Sequence, residues 1–368
     1  MNAINSSNID NRQAINIKPT KLGSKFDFKD SSLGSVVFVV LQYSILILLT
    51  ILTDNGVIFT FASTIISQIL LELMFAFSVL IVAKINKKNV FESTTLNKKP
   101  NIVSTLLCVV IAVICLYGFN GLTSFFITFL EKIGYTPSSG NIVIPNFGIF
   151  ILYVIAMCII PAISEEMLFR GLIFNGLKDR GVKKAVLVSA LLFMLMHGSP
   201  DQTIHQFILG VLLAYVFYYT GSLWYPIIIH FLNNFIVVFI TFITYGQTTD
   251  VVTDNTWGGI ISTGIMSVVF AVISGLLIYF IIIKLLKKRK ERDEIKLQVT
   301  NAHLMGVENE TIVIPDEQTQ IHDATGKIIT NENAGKKKMD TRSIMFFVAS
   351  GLILSVEWIY TLIVGFMK

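Results

Sequence analysis

The stretch IVSTLLCVVIAVICLYGF, residues 102–119, decides the fold class of this chain. It contains no charged side chain. An apolar run of about 18 residues is long enough to cross the hydrocarbon core of a bilayer as a helix. Residues 102–119 are therefore predicted to form a transmembrane helix.

Similar apolar runs recur along the chain, although the fifth and sixth are short. The nine predicted spans are Gly34–Leu52, Val57–Ala83, Ile102–Phe119, Phe147–Ile163, Ala185–His197, Ile204–Tyr219, Leu223–Tyr245, Gly258–Ile283 and Ile344–Met367. Of the 368 residues, 53% are hydrophobic and only 14% are charged, whereas soluble domains carry roughly 25% charged residues. We predict an all-α, polytopic transmembrane bundle of about eight or nine membrane helices. An ordinary soluble enzyme and a disordered chain are both excluded.

Basic residues alternate along the loops between these runs. They cluster before residue 30 and at 84–99, 178–184 and 284–290, whereas 53–56 and 246–257 have none. Cytoplasmic loops of membrane proteins are enriched in Lys and Arg. The pattern therefore predicts a cell-membrane protein with a cytoplasmic N-terminus.

The chain divides into six regions on the same grounds. They are a polar cytoplasmic tail (1–33), N-terminal membrane helices (34–145), a motif-bearing core (146–245), a membrane helix with a basic flank (246–290), a low-order cytoplasmic loop (291–342) and a C-terminal membrane helix (343–368). A short strand-like piece is expected within the loop at Glu310–Ile314. The three cysteines, Cys108, Cys115 and Cys158, lie in apolar runs and are expected to act as packing residues.

Charged and imidazole side chains inside the predicted spans are the candidates for function, because such groups are costly in a membrane. Those outside the motifs described below are Glu72, His205 and Glu357.

The fourth span ends in Glu165-Glu166 followed by Arg170. Glu166 and Arg170 are four positions apart and share a helix face, which predicts an ion pair at the membrane boundary. Glu165 points elsewhere and has no local partner, which suits a general base. The alternative is that all three are interfacial charges that flank a span.

Two further pairs of polar or aromatic residues have the same helical spacing. Phe193 precedes His197 by one turn and is expected to line a pocket beside the imidazole. His230 and Asn234 share one face and can donate toward a developing oxyanion. The alternatives are a packing histidine at 197 and an interhelical hydrogen-bonding pair at 230 and 234.

Together these residues supply what is needed to add water to an amide. No Gly-x-Gly-Asp and no His-Glu-x-x-His sequence is present, so the intramembrane aspartyl and site-2 zinc patterns are missing. With the boundaries above, Glu165 lies near the cytoplasmic end of its helix, and His197 lies about 20 Å from Lys184 toward the other side. The two residues can meet only if the helices tilt or if the boundary near 170–184 is elsewhere.

The three motifs resemble the CAAX protease and bacteriocin-processing (CPBP, or Abi) family of intramembrane proteases, similar to the type II CAAX prenyl endopeptidases. The family pattern Glu-Glu-x-x-x-Arg, Phe-x-x-x-His and His-x-x-x-Asn is present in that order, and 219–227 resembles the usual approach to the third motif. The resemblance covers about Asn146–Phe239. It implies that Glu165 and His197 activate water, that His230 and Asn234 stabilise the oxyanion, and that Glu166 and Arg170 support them.

The resemblance also sets expectations for cofactor and partners. The family is often described as metalloproteases, and Zn²⁺ held by Glu165, His197 and His230 is an open alternative to metal-free water activation. The expected partners are the lipid bilayer and a peptide or membrane-anchored protein substrate, with no nucleic acid. Asn-, Ile- and Lys-rich usage is typical of AT-rich bacteria, where relatives serve in peptide or bacteriocin maturation and self-immunity. The rival hypothesis is a non-catalytic immunity or scaffold protein of the same fold.

Overall fold

A computed structural model of the chain describes residues 25–55, 61–137, 143–245, 256–288, 290–291, 294–295, 321–322, 328–329 and 340–368. Ten helices organise the membrane-associated part. They are α1 (Phe28–Asp54), α2 (Phe61–Ile85), α3 (Val90–Ser93), α4 (Ile102–Lys132), α5 (Phe147–Arg180), α6 (Val182–Met196), α7 (Thr203–Thr220), α8 (Trp224–Ile243), α9 (Trp257–Lys287) and α10 (Thr341–Met367). In the loop before α10, β1 (Ile321–His322) pairs antiparallel with β2 (Ile328–Ile329). The strand expected at Glu310–Ile314 lies outside the described residues.

Eight helices of the described part are long and apolar enough to cross a membrane. This confirms the all-α, polytopic bundle. The fifth predicted span is different, because α6 has only 15 residues. At about 1.5 Å per residue it extends about 22 Å, short of a hydrocarbon core about 30 Å thick. Helix α6 therefore ends inside the bundle, and the chain turns there into α7.

The fourth predicted span ends at the wrong residue. Instead of stopping at Ile163, α5 runs from Phe147 to Arg180, a length of 34 residues. Glu165 consequently lies near its middle, about 22 Å from Arg180 along the axis. Because His197 follows an α6 of the same length, both residues reach a similar depth. The conflict between their predicted depths thus came from the misplaced boundary.

The loops rich in basic residues meet at one end of the bundle. Ser222 Oγ donates to the Lys98 carbonyl over 2.6 Å, and Trp224 Nε1 donates to the Leu96 carbonyl over 2.9 Å. Lys290 Nζ lies 4.6 Å from the ring centroid of Tyr218. Burial lowers the pKa of Lys98, and the charges of Lys25 and Lys290 add to this effect. We call this side the basic end.

Helices α4 and α9 pack closely because small residues face each other. A Cβ atom built on Gly118 would lie 2.0 Å from Ser274 Oγ. One built on Gly121 would lie 3.0 Å from Ser267 Oγ. Such small-residue contacts allow membrane helices to approach closely where no hydrophobic driving force holds them together.

This packing predicts different outcomes at two glycines. Gly118→Ala should destabilise the protein by about 1–3 kcal/mol through overpacking. Gly275→Ala is the matched control, since nothing lies within 4 Å of its added Cβ and alanine favours the helix. Thermal unfolding in detergent should show a lower melting temperature for Gly118→Ala alone. Ser274→Gly in the same chain should restore it, and equal melting temperatures for the two glycine variants would contradict the proposed register.

Candidate active site

Helix α5 changes its winding on both sides of Glu165. A π-helical turn at Val154–Ile159 precedes the α-helical segment Ile160–Glu166, and a second π-helical turn follows at Met167–Phe174. Pro161 lacks an amide hydrogen and cannot bond the carbonyl four residues earlier, which belongs to Met157. That carbonyl instead accepts from Asn234 Nδ2 over 2.9 Å. The irregular part of α5 is therefore hydrogen-bonded to α8 immediately beside the predicted site.

The ion pair predicted from the spacing of Glu166 and Arg170 is present. Arg170 Nη1 lies 2.6 Å from Glu166 Oε1, and both side chains are completely buried. Arg170 Nη2 also donates to the Gly210 carbonyl of α7 over 3.0 Å. The expected position at the membrane boundary is wrong, because α5 continues well beyond it. The pair is an interior contact between α5 and α7.

His230 is the second partner of Glu166. Its Nδ1 lies 3.0 Å from Glu166 Oε1. A carboxylate can only accept, so Nδ1 carries the proton and Nε2 is left for chemistry. Nε2 of a neutral His230 is an acceptor, and it becomes an oxyanion donor only when the ring is protonated. Glu166 is therefore placed to orient His230 as well as to pair with Arg170.

Phe193 links the charged pair to both histidines. Arg170 Cζ lies 4.4 Å from its ring centroid, in cation–π geometry. The rings of His197 and His230 meet it edge-on, with centroid separations of 5.1 and 5.8 Å. The fully buried Phe193 ring therefore fixes the relative positions of three polar side chains.

His197 lies at the C-terminal end of α6, where the chain reverses. Its Nδ1 lies 2.8 Å from the Phe193 carbonyl oxygen. Since that oxygen can only accept, Nδ1 carries the proton and Nε2 keeps a lone pair. Gly198 follows with φ +60°, a left-handed conformation that glycine adopts at little cost. The turn thus presents the imidazole inside the bundle.

Glu165 has a very different neighbour from Glu166. Its side chain, 3% exposed, contacts the carboxyl group of Glu72 in α2 at hydrogen-bonding distance. Glu72 Oε1 accepts from Gln68 Nε2 over 2.9 Å. Two adjacent carboxyl groups are most stable when they share one proton, because two like charges repel. This pair is placed to accept and return a proton.

A cavity of about 630 Å³ brings the predicted residues together. Glu165, His197, His230 and Asn234 all contribute to its lining. Glu166, Arg170 and Phe193 lie behind this lining. One amide hydrogen of Asn234 is engaged by the Met157 carbonyl. Asn233 Nδ2 donates to Asn234 Oδ1 over 3.3 Å, so only the second amide hydrogen of Asn234 is left for an oxyanion.

Three cavity residues were noted in the sequence as ionisable groups within apolar spans but were given no role. Glu72 and Glu357 come from helices far from the motifs, and His205 comes from the first turn of α7. His205 Nε2 lies 3.2 Å from Asn233 Nδ2. Their position in apolar spans was the available signal, but it did not indicate which residues they meet.

The donor set does not fit a zinc site. No group of three or more His, Cys, Asp or Glu side chains in the described part of the chain is arranged to hold a metal ion. The Phe193 carbonyl and Glu166 engage only the Nδ1 atoms of His197 and His230, and because metal-binding histidines commonly have such partners, the misfit lies in the placement of the side chains and not in these hydrogen bonds. Glu165, His197 and His230 line one cavity without forming a metal-binding cluster. The chemistry derived below therefore uses no metal.

Comparison with known proteins supports the same region. Residues 147–236 match the family model described as Rce1-like, type II CAAX prenyl endopeptidase. The match confirms the resemblance based on the three motifs and includes all of them. No curated protein and no solved structure matches the chain. The match covers about a quarter of the chain, and within that region the chain is similar to the type II CAAX prenyl endopeptidases.

The contact between Asn234 and Met157 predicts a stability coupling with Pro161. Asn234→Ala should destabilise the protein by about 1–2 kcal/mol, because it leaves a partly buried carbonyl without its donor. In a Pro161→Ala background the restored amide can serve that carbonyl, so the same change should cost less. Chemical unfolding of the four proteins of this double-mutant cycle measures the coupling. Additive losses would show that Asn234 does not compensate for Pro161.

Proposed function

We propose that the protein is an intramembrane endopeptidase in which Glu165 and His197 activate water. The observation that carries this proposal is the convergence of both residues, from separate helices, on one cavity. Each has an acceptor available there, a carboxylate oxygen on Glu165 and Nε2 on His197. A water between them would lose its proton as it attacks the peptide carbonyl.

The other residues supply the remaining parts of the reaction. Protonated His230 would donate from Nε2 to the developing oxyanion, and the negative charge of Glu166 would stabilise the imidazolium. The free amide hydrogen of Asn234 would be a second donor. The Glu72–Glu165 pair would then return a proton to the departing amine, so the base that receives the water proton also completes cleavage. The reaction consumes one water, whose hydroxyl group is added to the carbonyl carbon and whose proton goes to the departing amine.

The proposed substrate is a peptide or protein that reaches the site from the membrane. The site lies inside a bundle of apolar helices, about 22 Å from the basic end. Peptide or bacteriocin maturation and self-immunity are the biological roles that we favour, on the strength of the family resemblance. The Asn-, Ile- and Lys-rich composition leads us to propose a bacterial cell membrane as the location.

The proposed roles predict a sharp loss of cleavage at two residues. Glu165→Gln and His197→Ala should each reduce single-turnover cleavage by at least about 10³-fold, and the double variant should be little worse, since both act on one water. Glu131→Gln at the exposed end of α4 is the matched control. Melting temperatures should verify folding.

The substrate is found by comparing membrane-associated peptides of wild-type and Glu165→Gln cells. Near wild-type cleavage by Glu165→Gln would eliminate the proposed mechanism, and retained immunity in that variant would favour a non-catalytic role.

We also propose that the basic end faces the cytoplasm, on the strength of its Lys and Arg content. Ile133 lies at the opposite end of α4 and is exposed, as is Lys184 at the start of α6. A membrane-impermeant thiol reagent applied to intact cells should label Ile133→Cys but label Lys184→Cys only after permeabilisation. Background should be low because Cys108, Cys115 and Cys158 are buried. The reverse labelling pattern would invert the orientation.

A further inference from the structure

The described lining of the cavity contains acidic side chains but no Lys or Arg. Its four carboxyl groups come from Glu72, Glu165, Asp201 and Glu357. Arg170 lies close by but is paired with Glu166. The titratable side chains that a ligand meets in this described lining are therefore carboxyl groups and imidazoles, beside uncharged amides and apolar groups.

Two of these carboxyl groups have acceptor atoms without donors. The Oε2 atoms of Glu72 and Glu165 are buried and have no donor among the described residues other than a proton shared between the two carboxyl groups. Their side chains are 7% and 3% exposed. Buried acceptors without donors are costly, and a shared proton satisfies only one contact between the two groups. The inner part of the cavity is therefore suited to a ligand that brings hydrogen-bond donors.

Glu357 extends the acidic lining to the surface of the bundle. Tyr43 donates to its Oε2 over 2.7 Å. Its Oε1 lies 3.0 Å from the position that a Cβ atom on Gly198 would occupy, beside the turn that holds His197. Trp358 Nε1 donates to Thr203 Oγ1 over 2.8 Å, which anchors this part of α10 to α7. Helix α10 thus places a carboxylate next to the proposed catalytic turn.

Glu357 also lines a second cavity, an apolar groove of about 680 Å³ between α1 and α10. Leu46, Ile47, Ile353 and Val356 are among its walls. The groove suits an apolar peptide segment from the bilayer, and Glu357 connects it with the acidic cavity. A segment in this groove would bring its polar groups to Glu357.

We propose that the substrate is an apolar peptide segment that carries a lysine or arginine close to the scissile bond. Glu357 receives that cation, and the acidic cavity attracts it toward Glu165 and His197. A chain end with its free carboxylate beside the scissile bond would face four acidic side chains with no available Lys or Arg. This inference rests on the proposed protease function, whose substrate class it specifies.

The test uses end-capped, fluorescein-labelled dodecapeptides of Leu and Ala with one variable central residue, lysine, norleucine or glutamate. Binding to the full-length protein is measured by fluorescence anisotropy in detergent micelles, with protein-free micelles as a blank and EDTA in every buffer. A fourth norleucine peptide has a free C-terminal carboxylate. We expect the lysine peptide to bind at least about 10-fold more tightly than the others, as a charge contact of about 1.4 kcal/mol requires.

The variant Glu357→Gln should remove most of this preference, because its amide keeps the shape but loses the charge. Glu291→Gln is the matched control at the exposed basic end, where its partner is Lys287, and it should retain the preference. Equal binding of the lysine and norleucine peptides by the wild-type protein, tighter binding of the carboxylate peptide, or no binding at all overturns the proposal. Cleavage is followed separately by mass spectrometry. A lysine preference without cleavage would count against protease function alone, whereas cleavage without a preference would count against this substrate class alone.

Discussion

The fully buried contact of Arg170, Glu166 and His230 is the constraint on which the rest of the site depends. A charge without a partner is costly inside a bundle of apolar helices, and removing one member of such a pair costs about 3–5 kcal/mol. Arg170 on α5 therefore has to meet Glu166 one turn away, the Gly210 carbonyl of α7 and the ring of Phe193 on α6. His230 adds α8 to the same contact. One electrostatic requirement thus fixes four helices around the cavity.

Sequence periodicity predicted those contacts that lie within one helix. The four-residue spacing of Glu166 and Arg170 was sufficient for the ion pair, and that of Phe193 and His197 for their ring contact. The same spacing was not sufficient for His230 and Asn234. These residues share a face, yet Asn234 bonds Met157 and His230 bonds Glu166. The difference arises from Pro161, whose missing amide hydrogen leaves a carbonyl to be satisfied from another helix, a relation that no local pattern contains.

The sequence predicted the fold class well and the helix ends poorly. Apolar runs are unmistakable over their middle, so the bundle followed from composition and length. The end of α5 was misjudged because Glu165, Glu166 and Arg170 were treated as a membrane boundary. In the structure these charges compensate one another or face the cavity, and the helix continues to Arg180. The contributions of Glu72 and Glu357 depend on contacts between distant helices, which hydropathy cannot reveal.

Glu165 and Glu166 show how neighbouring identical side chains acquire different chemistry. Their directions on the helix differ by about 100°. That rotation is enough to give Glu166 an arginine and a histidine, while Glu165 faces another carboxyl group and the cavity. Glu166 is held by Arg170 and His230, and these fixed contacts suit it to position other groups. Glu165 has no cation of its own, and a proton shared with Glu72 can leave or return as the charge in the cavity changes. The division that we propose between support and proton transfer therefore rests on the helical twist and on the partners that α2, α7 and α8 supply.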